Sequence, residues 1–270
     1  VTGMQGMLYN ATRFSELGIE VPLTTDQLLN ETCPDIKAAG EMPFVFSSSA
    51  GYWTCTVFLI WWAQYEGAEN YANYYQGLVP TDIEGEYIQS SDVVKQTGRL
   101  RSLEVIENLI SSKNTGDRDF THENVNTLDF GQSQARFLLG QGLMMPNGDW
   151  FETEMRETAS EGITDTFTFM QTPVISSIIE KCPDRSVADD AELRALIRAI
   201  DNNSENLSGE GYEVTQADYD KVAEARRLVL PVGNHVAYIP SYATAKEAAK
   251  DFLLYMATDE ANNAYIRATY

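Results

Sequence analysis

The sequence predicts an α/β fold, and three observations indicate it. Short apolar runs of strand length recur at residues 7–9, 43–46 and 143–145, and a turn or loop follows each of them. Longer segments between these runs carry apolar residues close to helical spacing. The chain has 270 residues, of which 43% are hydrophobic, so it can bury a sizeable core as one large domain or two smaller ones.

The first segment begins with a short strand at residues 7–10 and continues into a helix signal. Thr24 followed by Gln27 is typical of a capping box, in which the threonine hydroxyl reaches forward and the glutamine reaches back. The helix that starts there is expected to end at Gly40. Pro34 lies inside it and should kink or split it, because proline removes a backbone donor.

Aromatic residues dominate the next segment. A buried strand is predicted at residues 43–46, and a loop of small residues that begins at Ser47 follows it. The next helix opens at Tyr52 and Trp53 and extends to about Gly67. Core and ligand-binding roles are equally open for Tyr52 and Trp53. Trp61 and Trp62, further along this helix, are interpreted as core residues or as a surface for a partner.

The following region is first irregular and then helical. Residues 70–87 are rich in Tyr, Asn and Gly, which predicts a loop or a short hairpin. Ser91 and Asp92 can cap a helix that extends to about residue 112. The expected buried stripe of that helix comprises Leu100, Leu103, Ile106, Leu109 and Ile110.

The stretch from residue 131 to 150 carries the main candidate site. Its apolar residues predict a short amphipathic helix that Gly140 and Gly142 end. Residues 143–145 suit a buried strand, and residues 146–148 are expected to break it. Asp149 and Trp150 then lie at the carboxyl end of the strand, where open α/β folds hold their ligands. A tryptophan after a turn is nevertheless more often a core or rim residue.

The last part of the chain predicts helices and two further strands. A short acidic helix is expected at residues 151–160 and a strand at residues 166–170. Two helices follow at residues 189–201 and 215–230, the second with Thr215 and Asp218 as its capping signal. The remaining predictions are a strand at 235–240 and an alanine-rich helix at 243–256, with Ala248, Phe252 and Tyr255 on one face.

Composition excludes several classes of protein. The net charge of −21 argues against nucleic acid or an anionic membrane surface as the main partner and fits a neutral or cationic ligand. Three cysteines far apart in the sequence exclude a disulfide framework or a zinc ribbon. The sequence has no GxSxG, HExxH, GxxxxGK[ST] or post-strand GxGxxG motif, and its two isolated histidines cannot form a His-rich metal site. Acidic residues are plentiful, so composition leaves open a carboxylate pair for glycoside hydrolysis.

Three segments together resemble one known family. They are A-x-F-L-x-G-x-x-x-M-x-x-x-G-x-W at 135–150, L-Y-N-x-x-x-F-x-E-L-G-I-E-V-P at 8–22, and A-K-E-A-A-K-D-F-L-L-Y-M-A-T-D-E-A at 245–261. Their order and spacing are similar to those of extracellular solute-binding proteins of carbohydrate ABC importers, the maltose-binding-protein-like family. The resemblance covers most of residues 1–173 and again 235–270.

This resemblance implies a domain organisation. It implies a periplasmic-binding-protein-like type II lobe, a mixed sheet with flanking helices, with an inserted helical hairpin. Residues 1–174 would form the second lobe of a two-lobe protein and residues 175–232 the insertion. Residues 233–270 would supply a hinge strand and helix of the first lobe. The chain is expected to be a fragment, without the N-terminal segment of the first lobe and without the family's C-terminal helices.

The resemblance also implies a function. Trp150 would stack on a sugar while Asp149 and Asn147 bind its hydroxyl groups, helped by Tyr52, Trp53 and Ser47. The implied protein is a monomeric, extracellular lipoprotein subunit, periplasmic in a Gram-negative cell, that delivers carbohydrate to a membrane permease. It would need no cofactor or metal and would not be an enzyme. The alternatives are a glycan hydrolase that uses Asp149 with another carboxylate, and an interaction module in which the aromatic residues are core.

Overall fold

The computed structural model describes residues 3–48, 57–110, 119–156, 158–159, 162–204, 213–229, 231–232 and 237–269. Its strands are β1 (Gly3–Asn10), β2 (Leu78–Pro80), β3 (Tyr87–Gln89), β4 (Met144–Gly148), β5 (Phe167–Met170) and β6 (Pro231–Val232). Its helices are α1 (Ala11–Leu17), α2 (Thr25–Gln27), α3 (Cys33–Ala38), α4 (Leu59–Glu66), α5 (Ala68–Gln76), α6 (Thr97–Ile110), α7 (Phe130–Leu138), α8 (Phe151–Met155), α9 (Asp190–Asp201), α10 (Gln216–Arg227), α11 (Lys246–Met256) and α12 (Asp259–Thr269). Helix and strand together confirm the predicted α/β class.

The main sheet is organised around β1. This strand lies between β4 and β5, antiparallel to both, and its first residues pair with β6. Alternate residues of a strand point to opposite faces, so β1 contributes to two hydrophobic cores. Met7 belongs to the larger core, while Leu8 packs with Met145 and Phe137 in the smaller one. The predicted strands at 7–10 and 166–170 are therefore confirmed.

An extended segment at residues 42–45 lies beside β4 and makes the sheet mixed. Phe44 forms a parallel bridge with Met144, and the Met144 amide donates to the carbonyl of Pro43 at 2.8 Å. Residues 43–46 are buried as predicted, but the predicted strand is reduced to an isolated bridge at Phe44.

Pro146 does not break β4, which corrects the prediction for residues 146–148. The strand continues to Gly148 and stays paired with β1. Residues two apart in a strand face the same neighbour, so Pro146 would face the 42–45 segment as Met144 does. Because proline has no N–H, Pro146 ends the pairing of β4 with the 42–45 segment. The pairing of β4 with β1 continues.

Pro34 is accommodated by a change of helix type. Between α2 and α3 the chain forms a π-helical turn at Leu28–Thr32, which confirms the predicted split of this helix. The cap differs in one detail from a capping box. Thr24 Oγ1 accepts from the Gln27 amide at 3.2 Å, but the Gln27 side chain accepts from the amide of Leu23.

The region predicted to be irregular at residues 70–87 begins with helix α5, and only its second half forms a hairpin, between β2 and β3. Aromatic contacts with α4 hold this helix in place, and the Tyr- and Asn-rich composition of α5 does not predict them. The rings of Tyr71 and Tyr74 meet Trp62 edge-on, with centroids 4.9 Å and 4.7 Å apart. Trp61 and Trp62 are buried, as the core interpretation requires.

Helix α6 presents a different face from the predicted one. Ile106 and Leu109 are buried, but Leu100, Leu103 and Ile110 are 55%, 48% and 45% exposed. The helix starts at Thr97 because a 3-10 turn, Ser91–Lys95, precedes it. Gly98 lies against α4, where an added Cβ would be 3.0 Å from the Glu66 side chain and 3.1 Å from Trp62 Cδ1, so the buried face of α6 includes this glycine.

Helix α7 is delimited by local signals. Asp129 and Gln132 form a complete capping box at its start, and Gly140 follows its end with a positive φ of 72°. Gly142 was predicted to help end this helix, but the structure gives it a packing role instead. A Cβ there would lie 2.6 Å from the Val45 amide nitrogen, so glycine permits the close approach of two backbones.

Helices α9 and α10 confirm the predicted pair at 189–201 and 215–230. Asp189 and Thr215 cap them, each accepting from a backbone amide three residues on. Asp218 is fully buried and binds the loop before α9, accepting from the amides of Asp184 and Ser186 and from the Ser186 hydroxyl. Burial alone would raise the pKa of Asp218, but these hydrogen bonds hold the pKa below its usual value.

The C-terminal helix pair, α11 and α12, follows a stretch without regular structure. Residues 237–240 are not a strand, which corrects part of the prediction for 235–240; residues 235 and 236 lie outside the described residues. Helix α12 is an addition to the predicted elements. None of the described helices is long and apolar enough to cross a membrane.

Candidate functional site

Asp149 and Trp150 lie where the end of β4 meets the start of β1. The Asp149 amide donates to the Met4 carbonyl at 3.0 Å, and the Met4 amide donates to Asp149 Oδ2 at 3.2 Å. These two bonds fix the backbone of the turn, while the Asp149 side chain stays exposed. A carboxylate held in this way can still accept hydrogen bonds from a ligand.

The Trp150 indole is folded back onto Gly148. A Cβ added to Gly148 would lie 2.3 Å from Cη2 and Cζ3 of the indole, so the six-membered ring covers the glycine Cα. Glycine at this position is therefore what allows the ring to lie flat on the end of the strand. The side chain remains partly exposed, at the start of α8.

Asn147 and Ser47 are both buried. Asn147 is fully buried; its Nδ2 donates to Gln134 Oε1 at 3.0 Å, and its Oδ1 accepts from the Gly148 amide at 2.8 Å. Ser47 is also buried and donates to the carbonyl of Leu128 at 2.8 Å. The structure thus places both side chains in internal hydrogen bonds, and those of Asn147 lie within the last residues of β4. Their ligand roles remain predictions.

Tyr52 and Trp53, the other predicted ligand residues, lie outside the described residues. Of the six predicted site residues, the structure therefore brings Asp149 and Trp150 together at a surface and places Asn147 directly behind them.

Phe169, which is not among the predicted site residues, also lies in this region. It is 41% exposed, and its ring covers Gly6, where an added Cβ would lie 3.4 Å from Cδ1. The alternating run at 166–170 could have indicated this residue, because alternation places Phe169 on the same face of the strand as Phe167. What the sequence could not supply is the pairing of β5 with β1, which brings Phe169 near Asp149.

Two cavities border both Asp149 and Phe169. One, of about 590 Å³, lies between β5 and α8; its apolar lining includes Leu8, Phe151 and Phe167. The other, of about 280 Å³, lies at the start of β1 and the end of α10. Asp149 therefore stands between two recesses that could each receive part of a ligand.

Metal-ligating side chains are dispersed in the part of the chain that the structure describes. Within those residues no three His, Cys, Asp or Glu side chains are placed to hold a metal ion. The thiols of Cys33 and Cys182 are unpaired and buried, and burial raises the pKa of both.

Comparison with known proteins gives one curated match and several structural ones. The chain is 25% identical over 166 residues to a multiple sugar-binding protein from Streptococcus mutans. The match covers 62% of this chain and 36% of that protein, so this chain spans about a third of the relative's length. The resemblance to sugar-binding proteins inferred from the sequence is thereby confirmed. No family model matches the chain.

Two solved structures illustrate the similarity in three dimensions. A chitin oligosaccharide binding protein superposes with a TM-score of 0.50 at 18% identity, over 64% of this chain and 39% of that chain. RafE from Streptococcus pneumoniae gives a TM-score of 0.47 at 23% identity, over 64% and 40% of the two chains. The first of these similarities supports a solute-binding-protein fold for about two thirds of the chain.

Proposed function

We propose that this chain is the ligand-binding lobe of the substrate-binding subunit of a bacterial ABC importer for carbohydrate. The observation that carries the proposal is the sequence similarity to a multiple sugar-binding protein. The position of Asp149 and Trp150 at one end of the sheet supports it, since they provide a hydroxyl-binding carboxylate next to an aromatic ring.

The chemistry of a sugar suits this pair of residues. A pyranose has an apolar C–H face, which can stack on an aromatic ring such as the partly exposed Trp150 indole. Its hydroxyl groups can donate to the exposed carboxylate of Asp149. An aromatic stacking contact contributes roughly 0.5–1.5 kcal/mol beyond area burial in aromatic pairs, and we assume a similar value here.

The wider role follows from the same proposal. A sugar bound at Trp150 would be enclosed by a second lobe, and the closed form would deliver it to a permease in the membrane. Such a protein acts outside the cytoplasm, as a monomeric lipoprotein at the cell surface or as a periplasmic protein. In this role the protein binds the sugar and does not convert it.

We propose that residues 1–174 form the lobe, with residues 175–232 as an insertion and 233–270 as hinge elements.

A sugar titration tests the proposal. Tryptophan fluorescence is recorded while glucose, galactose, maltotriose, raffinose or chitotriose is added to the wild-type chain and to Trp150→Ala. We expect saturable quenching that Trp150→Ala abolishes, with little change in the free energy of unfolding. Tyr242→Ala is the control, because Tyr242 is 85% exposed in the stretch before α11.

Gly148→Ala is a second variant for the sugar titration, because it moves the Trp150 ring without removing it. Its Cβ displaces the indole without removing it, so sugar affinity should fall while the tryptophan count is unchanged. Overpacking of this kind costs about 1–3 kcal/mol of stability. Release of a cleaved sugar would instead indicate a hydrolase. A loss of about 3–5 kcal/mol for Trp150→Ala would identify a core residue and favour the interaction module.

A further inference from the structure

Three side chains form a chain of hydrogen bonds between β4, α7 and α8. Asn147 Oδ1 accepts from the Gly148 amide at 2.8 Å, and Asn147 Nδ2 donates to Gln134 Oε1 at 3.0 Å. Gln134 Nε2 in turn donates to Glu154 Oε2 at 2.9 Å. Gln134 and Asn147 are 1% and 0% exposed, so the bond between them is shielded from water and strengthened by the low local dielectric.

This chain of hydrogen bonds reaches both sides of the turn that carries Asp149 and Trp150. On one side it ends at Gly148, whose Cα the Trp150 ring covers. On the other side it ends at Glu154 in α8, and the Glu154 amide donates to the Trp150 carbonyl at 3.0 Å. Gln134 therefore connects the residue before Asp149 to the helical turn that begins at Trp150.

The groups at the two ends fix the direction of every bond in the chain. A backbone N–H can only donate, and an ionised carboxylate can only accept. The side chain at position 134 must therefore accept on the side of Asn147 and donate on the side of Glu154. An amide offers both groups. Leucine would offer neither, and glutamate would place two carboxylates next to each other.

Helix α7 gives Gln134 a fixed position. The capping box of Asp129 and Gln132 holds the start of this helix. Phe137, three residues after Gln134, is fully buried and packs with Leu8 in the smaller core. A buried side chain on a packed helix, with both of its polar groups bonded, can hold its neighbours in one geometry.

We infer that Gln134 is a positioning residue for the Trp150 indole. It acts on the ring through Asn147 and Gly148 on one side and through Glu154 on the other, without contacting a ligand itself. The orientation of the indole on Gly148 therefore depends on a side chain of a different helix. The importance of Gln134 for sugar recognition rests on the proposed function, whereas the position of the indole can be measured without sugar.

Fluorine NMR of protein labelled with 5-fluorotryptophan tests the inference, because each of the four tryptophans gives its own resonance. Trp150→Ala identifies the resonance of Trp150. In Gln134→Leu we expect that resonance to shift or broaden, while those of Trp61 and Trp62, which belong to the larger core, stay unchanged. Calorimetric titration of Gln134→Leu with maltotriose or raffinose should show an affinity lower by roughly threefold to tenfold, the equivalent of one lost hydrogen bond.

Two conservative variants separate positioning from a simple loss of packing. Gln134→Glu keeps the acceptor for Asn147, but at about pH 7 its carboxylate faces that of Glu154. Protonation of either carboxylate restores a donor, so the Trp150 resonance should return towards its wild-type position as the pH falls to about 5, while that of the wild type stays in place. Glu154→Gln keeps an acceptor for Gln134 and should leave the resonance unchanged.

Gln76→Leu is the matched control, because it makes the same substitution at an exposed position of α5. The inference is overturned if the Trp150 resonance of Gln134→Leu equals that of the wild type, or if all four resonances change together. If Gln134→Leu does not fold, Gln134→Glu decides, and a Trp150 resonance that does not return in acid overturns the inference. If the wild type binds no sugar but Gln134→Leu still moves the Trp150 resonance alone, the proposed function fails and the positioning role stands.

Discussion

Helices α9 and α11 have similar lengths and similar apolar patterns but opposite environments. In α9, Leu193, Leu196 and Ile197 are at most 2% exposed. In α11, Phe252 and Leu254 are 60% and 61% exposed, and no residue of the helix is buried. An amphipathic period predicts that a helix forms and which side chains share a face. It does not specify what covers that face.

The difference has a structural cause. Helix α9 packs against α10 and the 3-10 turn Ser176–Lys181, and its Arg194 and Arg198 reach Glu31 and Glu20 in the segment before α3. Helix α11 contacts mainly α12, which is itself largely exposed. Stability should therefore be sensitive to substitutions in α9 and tolerant of the same substitutions in α11.

The largest expected effect is that of Leu193→Ala in α9. Leu193 is fully buried, so its removal leaves a cavity in the main core. We expect a loss of about 2–5 kcal/mol in the free energy of unfolding, measured by urea denaturation. A loss below about 1 kcal/mol would mean that α9 is not packed as described.

Asp218→Asn should have an intermediate effect, and one that depends on pH. The variant keeps a single acceptor where three donors converge, so we expect a loss of about 1–3 kcal/mol at pH 7. Because the pKa of Asp218 is lowered in the folded protein, its contribution is complete above the unfolded pKa of about 3.9 and is lost as the pH falls through the folded value.

Urea titrations of wild type and Asp218→Asn between pH 7 and pH 3 measure this dependence. The difference between the two proteins should shrink below about pH 4. A difference that stays constant to pH 3 would show that the carboxylate charge does not stabilise the fold.

The smallest expected effect is that of Leu254→Ala in α11, the matched partner of Leu193→Ala. Leu254 is 61% exposed, and surface substitutions usually change stability by less than about 0.5 kcal/mol. The ratio of the stability losses of Leu193→Ala and Leu254→Ala measures how differently α9 and α11 are packed. A loss comparable to that of Leu193→Ala would imply that α11 buries this side chain against a partner in solution.

The candidate site was predicted in part for similar reasons. Asp149 and Trp150 do lie at the end of a strand, as predicted, but that strand extends through Pro146 and Asn147 to Gly148 instead of ending before them. Asn147 and Ser47 resemble ligand-binding residues in sequence, yet their hydrogen bonds go to Gln134 and Leu128.

The sequence by itself determined the local elements of this protein. Caps at Asp189 and Thr215, the end of α7 at Gly140 and the apolar strands β1, β4 and β5 follow from interactions within a few residues. Tertiary structure decided the rest: which face of α6 is buried, that α5 is a helix on Trp62, and that Pro146 stays in β4. These outcomes depend on contacts between residues far apart in sequence, which neither periodicity nor local propensity encodes.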